Sequence, residues 1–112
     1  LDVILLGLGD DGHTASLFPG TAALQERTKA VTVGTAPTGI TARLTLTLGV
    51  LNRATVVLFL VSGSGKAPIV RTILEPRSER DRTFPASMVK PAEGRLVWLL
   101  DRASAAQLTT MH

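Results

Sequence analysis

Three short segments of the chain are apolar at nearly every position. They are Val3–Leu6, Val56–Val61 and residues 96–100. Strands that are apolar throughout are typical of parallel sheets covered by helices, because neither face of such a sheet meets water. We therefore expect these segments to form strands that are buried on both faces.

Each of the three segments is followed by a position at which a helix could begin. These positions are Thr14, Lys66 and Ser104. The order of strand, loop and helix is thus repeated, which predicts the α/β fold class with a mainly parallel sheet and flanking helices. The 112 residues are enough for one small domain and no more.

Residues 41–48 show a different pattern, in which apolar and polar side chains alternate strictly. Successive residues of a strand point to opposite faces, so the two kinds of side chain separate. One face carries Ala42, Leu44, Leu46 and Leu48, and the other carries Thr41, Arg43, Thr45 and Thr47. We expect the apolar face in the core and the polar face toward solvent or a ligand. Residues 30–33 are expected to add a short strand, and residues 34–39 and 75–85 to form loops.

Composition narrows the classes of protein that need consideration. The chain has no cysteine, which excludes disulfides, zinc–cysteine sites and thiol nucleophiles. The net charge of +3 is mild, the arginines of residues 71–82 alternate with acidic residues, and aromatic residues are few, so we expect no nucleic-acid partner.

No apolar run is long enough to span a bilayer and no secretory signal is visible, so we expect a cytoplasmic protein without a membrane partner. Because the chain opens directly on a predicted strand without an initiator methionine, we also expect it to be part of a longer protein.

In open α/β sheets, ligands bind beyond the carboxyl ends of the strands. The loops to consider are therefore residues 7–13 and 62–66, which should lie at the same edge of the sheet. Residues 7–12 match G-x-G-x-x-G, the pattern of a dinucleotide-binding loop. A dinucleotide site also needs a long helix after the loop and an acidic residue about 20 positions further on. Here Pro19 and Gly20 would end such a helix early. Thr32 stands where the acidic residue would be needed.

The first loop fits acid–base chemistry better than a pyrophosphate. Asp10 and Asp11 would repel a pyrophosphate, whereas His13 can accept and return a proton near neutral pH. Asp11 could orient the imidazole ring or hold a substrate hydroxyl. The spacing alone is equally consistent with turn and packing roles for these residues. No metal site is expected, because His13 and His112 are the only histidines.

The second loop, residues 62–66, combines small residues with free N–H groups, a lysine and a predicted helix N-terminus. Such a loop can seat a phosphate monoester, and it can equally be a flexible loop with a solvent-exposed lysine. It is not a Walker A loop, because Leu60 and Ala67 stand where that motif needs glycine and a hydroxyl. Arg43 could supply a second phosphate contact or simply be an exposed strand arginine.

Residues 7–19, GLGDDGHTASLFP, resemble the signature of 6-phosphogluconolactonases, G-x-G-x-D-G-H-x-A-S-L-F-P. Residues 43–47, 62–66, 85–87 and 98–106 resemble later motifs of that family in the same order. The resemblance covers essentially the whole chain but matches only the C-terminal half of the family's Rossmann-like (NagB/RpiA-type) domain. The related glucosamine-6-phosphate deaminases share Asp-Gly-His but continue with a catalytic glutamate before the proline. Here that position is Phe18, which favours the lactonase.

The resemblance implies hydrolysis of 6-phosphoglucono-δ-lactone to 6-phosphogluconate in the oxidative pentose phosphate pathway, with no metal or organic cofactor. His13 would be the general base and Asp11 its orienting partner or a hydroxyl ligand. Lys66 and Arg43 would hold the phosphate, and Gly9, Gly12, Gly63 and Gly65 would shape the loops. The N-terminal half of the domain would be a necessary partner, so residues 1–112 alone are expected to be inactive. A deaminase or isomerase of the same superfamily and a non-catalytic sugar-phosphate-binding module remain the alternatives.

Overall fold

The computed structural model describes residues 2–109. Its main sheet has three parallel strands, β1 at Val3–Leu6, β4 at Val56–Val61 and β5 at Arg95–Leu100, in the order β1–β4–β5. An antiparallel hairpin of β2 (Val31–Thr35) and β3 (Ala42–Leu46) forms a second sheet. The predicted α/β class with a parallel sheet is therefore confirmed, and so are all five predicted strands.

Two short α-helices connect the strands: α1 spans Leu48–Leu51 and α2 spans Ala67–Leu74. Helix α2 begins directly after Lys66, as predicted, and its buried residues are Ala67, Ile69 and Val70. The remaining helical elements are 3-10 turns at Ala22–Gln25, Ser64–Lys66, Arg80–Thr83 and Pro85–Met88. The segment predicted as a loop, residues 75–85, thus contains a 3-10 turn, whose Arg82 pairs at 3.4 Å with Glu79 just before it.

The helices predicted to begin at Thr14 and Ser104 do not form. Thr14 is buried and its hydroxyl donates to the Gly7 carbonyl at 2.8 Å, so its side chain closes the preceding loop. Ala15 adopts a φ of 52°, which is incompatible with a right-handed helix. The Ser104 hydroxyl donates to the Val61 and Asp101 carbonyls, and residues 102–107 form consecutive turns. Side-chain bonds to the backbone compete with helix formation at both positions.

Only one face of the parallel sheet is covered by the described residues, so the prediction of strands buried on both faces is wrong for this chain. The covered face consists of Ile4, Leu6, Val57, Phe59 and Val61. These side chains pack with the buried residues of α1 and α2 in one hydrophobic core. Phe59 stacks on Trp98 of β5 with ring centroids 4.1 Å apart. The opposite face exposes Val3, Leu5, Leu60 and Leu99. Both connections between the parallel strands pack their buried residues on the same side, which leaves this second face open.

The hairpin also departs from the predicted orientation of residues 41–48 at positions that include Leu44, Thr45 and Thr47. Leu44 is 76% exposed, whereas Thr45 is only 4% exposed and Thr47 is fully buried. The threonines can be buried because their hydroxyls are hydrogen-bonded: Thr47 donates to the Lys29 carbonyl at 2.7 Å, and Thr45 to the Leu46 carbonyl at 2.9 Å. The apolar-face prediction holds toward the C-terminal end, where Leu46 is partly buried against the core and Leu48 is buried at the start of α1.

Within residues 2–109, none of the helices combines the length and the apolar composition needed to cross a bilayer.

Candidate functional site

The loops at residues 7–13 and 62–66 meet at one edge of the sheet, as predicted. Strands β1 and β4 are parallel neighbours with Leu6 paired to Phe59, so their loops leave the sheet side by side. Lys66 Nζ lies 2.9 Å from Asp10 Oδ1, which joins the two loops directly. A cleft of about 370 Å³ opens between them and is lined by residues 7–9, residues 13–15 and Lys66.

The first loop is a compact turn held by its own backbone. The Gly9 N–H donates to the His13 carbonyl at 2.9 Å, and the Gly12 N–H donates to the Gly9 carbonyl at 3.0 Å. The His13 ring lies so close to Gly9 that a β-carbon there would overlap ring atoms. Gly12 has a φ of 83° and packs against Phe84. Glycine at position 9 is therefore what allows the imidazole to lie against the loop.

Asp11 holds His13 through two hydrogen bonds. The His13 backbone N–H donates to Asp11 Oδ1 at 3.0 Å, and His13 Nδ1 lies 2.6 Å from the same oxygen. Partial burial by itself would raise the pKa of Asp11, but the hydrogen bonds and positive potential from His13 outweigh it, and the net pKa lies below the ordinary value. When the ring is in its neutral form, an ionised Asp11 can accept the proton of Nδ1, which leaves the lone pair on Nε2.

Phe18 supports the imidazole from within the core. Its ring centroid is 4.5 Å from that of His13, and only 5% of Phe18 is exposed. Phe18 stands where the deaminases have a catalytic glutamate, and the structure shows that it is a buried side chain. The guanidinium carbon of Arg43 lies 5.8 Å from the same ring centroid.

Arg43 is a predicted phosphate-binding residue whose side chain does not line the cleft. Its side chain is exposed, its Nε donates to the Ile40 carbonyl at 2.9 Å, and it is not among the residues that line the cleft. The structure thus brings together Asp11, His13 and Lys66, whereas the Arg43 guanidinium lies over the Phe18 ring and does not line the cleft.

The second loop is anchored by Asp101, a residue that the sequence analysis did not identify as functional. Gly63 has a φ of 98°, and its N–H donates to the Asp101 carboxylate at 3.1 and 3.2 Å. The Ser104 N–H donates to the same carboxylate at 2.8 Å. The backbone N–H of Ser104, its side chain and the Gly63 N–H hold the pKa of Asp101 below its ordinary value. The N–H of Gly63 is therefore not free for a phosphate, contrary to the prediction, whereas Gly65 faces open space.

The hairpin braces the segment that follows His13, and this contact was also missed. The Ser16 N–H donates to Thr45 Oγ1 at 3.0 Å, and the Ser16 carbonyl lies against the backbone of Gly34 without room for a β-carbon. The signal available in the sequence was the run of threonines in β3. It was interpreted as a solvent or ligand face rather than as a contact with the loop.

The arrangement can supply an oriented base and a cation to one cleft. His13 lines the cleft and its imidazole can act as a base there, and Lys66 offers a positive charge at the start of α2. No group of three or more histidine and acidic side chains close enough to hold a metal ion occurs in the part of the chain that the structure describes. His112 lies outside that part.

Comparisons with known proteins give a consistent set of similarities. The family described as glucosamine-6-phosphate isomerases/6-phosphogluconolactonase matches residues 1–98. The chain is 48% identical to a 6-phosphogluconolactonase of Rattus norvegicus over 109 residues, which is 96% of this chain and 41% of that protein. The corresponding Nostoc protein is 44% identical over 97% of this chain and 44% of its own length. The chain therefore spans about two-fifths of the length of these relatives.

Solved structures agree with the sequence relatives. The 6-phosphogluconolactonase of Trypanosoma brucei superposes with a TM-score of 0.85 at 35% identity, over 97% of this chain and 43% of that one. A monomeric glucosamine-6-phosphate deaminase superposes with a TM-score of 0.64 at 30% identity, over 94% of this chain and 47% of that one.

Proposed function

The chain belongs to the family of glucosamine-6-phosphate isomerases and 6-phosphogluconolactonases, and we propose that its site serves the hydrolysis of 6-phosphoglucono-δ-lactone to 6-phosphogluconate. The observation that carries the proposal is the His13 ring, held by Asp11 at Nδ1, in a cleft that it shares with Lys66. The names of the relatives support a lactonase of this kind.

In the proposed mechanism, His13 is the general base. Its Nε2 takes a proton from a water molecule while the water oxygen attacks the lactone carbonyl carbon. The bond between that carbon and the ring oxygen then breaks, and the proton on Nε2 passes to the departing ring oxygen. Asp11 remains ionised and stabilises the imidazolium that exists between the two transfers. No metal or organic cofactor takes part in these steps.

Lys66 is proposed to hold the substrate phosphate at the other end of the cleft. Its ammonium group and the N-terminus of α2 both favour a dianion there. Arg43 is a second proposed contact, once its side chain leaves the Ile40 carbonyl. An anchor remote from the reacting carbonyl restricts the sugar ring relative to His13 and so converts binding energy into rate.

Phe18 favours the lactonase over the deaminase. In the deaminase pattern a glutamate at this position handles protons, whereas here a buried phenyl ring packs on His13. A hydrocarbon ring has no proton to exchange, so the deamination route lacks its acid–base group. Hydrolysis of a lactone needs only the base that His13 supplies.

We also propose that the 112 residues form the C-terminal half of one domain, whose N-terminal half is required for activity. The chain spans about two-fifths of its relatives' length, and an apolar sheet face formed by Val3, Leu5, Leu60 and Leu99 is open to solvent. An open apolar face of this kind is typical of a surface that another segment covers. The cytoplasmic location stays a prediction.

The proposed function is tested with the full-length gene product, comparing the wild type with His13→Ala. The released acid is followed with a coupled dehydrogenase and corrected for spontaneous hydrolysis. We expect the rate of hydrolysis by the variant to be lower than that of the wild type by roughly 10²-fold or more, as for the loss of a general base. An unchanged rate would place the base elsewhere. Binding of 6-phosphogluconate without hydrolysis would identify a binding module, and turnover of glucosamine 6-phosphate would identify a deaminase.

A further inference from the structure

We propose that Asp10 competes with the substrate phosphate for Lys66, so that the empty site holds its cation in an ion pair that binding must break. Asp10 is thus a residue that lowers the affinity of the site for phosphorylated ligands. The inference rests on the proposed role of Lys66 as the phosphate anchor. It adds a function for an aspartate that takes no part in the proposed acid–base steps.

The two neighbouring aspartates of the first loop are engaged in different ways. Asp11 is committed to His13 through both the backbone N–H and the ring. Asp10 instead places Oδ1 2.9 Å from Lys66 Nζ, across the gap between the two loops. Because Lys66 lines the cleft beside His13, the Asp10 carboxylate occupies one side of the position that an incoming anion would use.

The exposure of the two side chains shows which partner can move. Asp10 is 81% exposed and Lys66 is 31% exposed. The carboxylate can turn into water without desolvation, whereas the lysine stem is largely covered and its ammonium group stays at the cleft. An arriving phosphate can therefore displace Asp10 and keep Lys66 in place.

Displacement does not remove the charge of Asp10 from the neighbourhood. Its backbone belongs to the compact turn between Gly9 and Gly12, which the Gly12 N–H closes onto the Gly9 carbonyl. The carboxylate therefore remains within one side-chain length of the phosphate and repels it. Both the broken ion pair and this repulsion weaken the binding of any phosphorylated ligand, whether lactone or acid.

The test measures binding of 6-phosphogluconate to the full-length gene product by calorimetry, in the wild type and in Asp10→Asn. We expect the dissociation constant to fall roughly three- to fivefold in the variant, the upper part of the range of one exposed ion pair. The gain should shrink as salt is added, because salt screens exposed charges. Asp10→Glu retains the charge and should bind more weakly than Asp10→Asn.

Two controls separate the ion pair from a general change of charge. Glu93→Gln alters the net charge equally, but Glu93 is exposed just before β5 at the opposite end of the sheet, roughly 20 Å away for a six-residue strand. The dissociation constant of Glu93→Gln for 6-phosphogluconate should equal that of the wild type. In a Lys66→Met background, Asp10→Asn should tighten binding less than it does with Lys66 present, because the ion pair is gone and only the direct repulsion by Asp10 remains.

Unchanged or weaker binding by Asp10→Asn would overturn the inference, as would an equal gain in Glu93→Gln or a gain of undiminished size without Lys66. Failure of the proposed function looks different. In that case the wild type would not bind 6-phosphogluconate, or Lys66→Met would bind it as well as the wild type does. Either result would remove Lys66 as the anchor and the role of Asp10 with it.

Discussion

Replacing Thr45 by valine tests whether the hairpin holds the segment that follows His13. Valine has nearly the shape of threonine and favours a strand equally, so the substitution removes the hydroxyl and little else. The Ser16 N–H would lose the acceptor that now lies 3.0 Å away, in a position where Thr45 is almost completely buried. The variant therefore removes the hydrogen bond between the hairpin and the segment after His13, together with the bond that the Thr45 hydroxyl donates to the Leu46 carbonyl within the hairpin.

The expected loss of stability follows from the burial of the two groups. An unsatisfied buried donor costs about 1–3 kcal/mol. Ser16 is only partly buried, so water can reach it and the lower half of that range, about 1–2 kcal/mol, applies. The rate should fall as well, because Ser16 is three residues from His13 and a shift of the segment moves the imidazole.

The assay is denaturant unfolding of the full-length gene product together with lactone hydrolysis. We expect a lower midpoint with an unchanged slope for Thr45→Val, and a decrease in kcat that exceeds any change in KM. Thr45→Ser keeps the hydroxyl and should restore the rate. Thr35→Val is the matched control, because Thr35 lies on β2 of the same hairpin with an exposed side chain. Equal stability of Thr45→Val and the wild type, or an equal loss in Thr35→Val, would refute the reasoning.

Two further predictions concern the phosphate end of the cleft. Lys66→Ala should raise KM for the phosphorylated lactone by about tenfold or more, as for the loss of a charged hydrogen bond, and Arg43→Ala should raise it less, because Arg43 does not line the cleft. Hydrolysis of the same lactone without a phosphate is the control and should be unaffected; an equal effect on both lactones would show that the substitutions act through the fold. Asp101→Asn should loosen the second loop, and its effect should depend on pH. Because the folded-state pKa of Asp101 is below its ordinary value, its contribution to stability is complete above the ordinary aspartate range and is lost as the pH falls through the folded-state pKa. Urea unfolding should therefore show that the free energy of unfolding of the wild type exceeds that of Asp101→Asn at neutral pH, and that the difference narrows in acid. A difference that does not change with pH would contradict the role of Asp101 as the anchor of the second loop.

Much of the site could be predicted because it is local in the sequence. Two apolar strands followed by glycine-rich loops predict parallel neighbours, and parallel neighbours place their loops at one edge of the sheet. His13 and Asp11 are two residues apart, and the turn between them brings the ring to the carboxylate. The start of α2 after Lys66 follows from the same local pattern of loop and helix.

The errors in the prediction share a physical cause, which is that burial depends on contacts between distant segments. Leu44 of β3 is exposed and Thr45 is buried because the hairpin packs against a loop 29 residues earlier in the chain. Alternation shows that a strand has two faces but not which one meets the core when polar groups can find partners. The helix predicted after Thr14 is absent because of another side-chain contact. The Thr14 hydroxyl donates a hydrogen bond to the Gly7 carbonyl instead of capping a helix.

The sequence by itself determined the α/β class, the two site loops and the pairing of an imidazole with a carboxylate, because each depends on residues close together along the chain. Only the tertiary structure decided which groups hold those loops in place. Asp101 reaches Gly63 across 38 residues, and Lys66 meets Asp10 from the neighbouring strand's loop. Such contacts form when the packed core brings the strand ends together, and no local pattern of side chains encodes them.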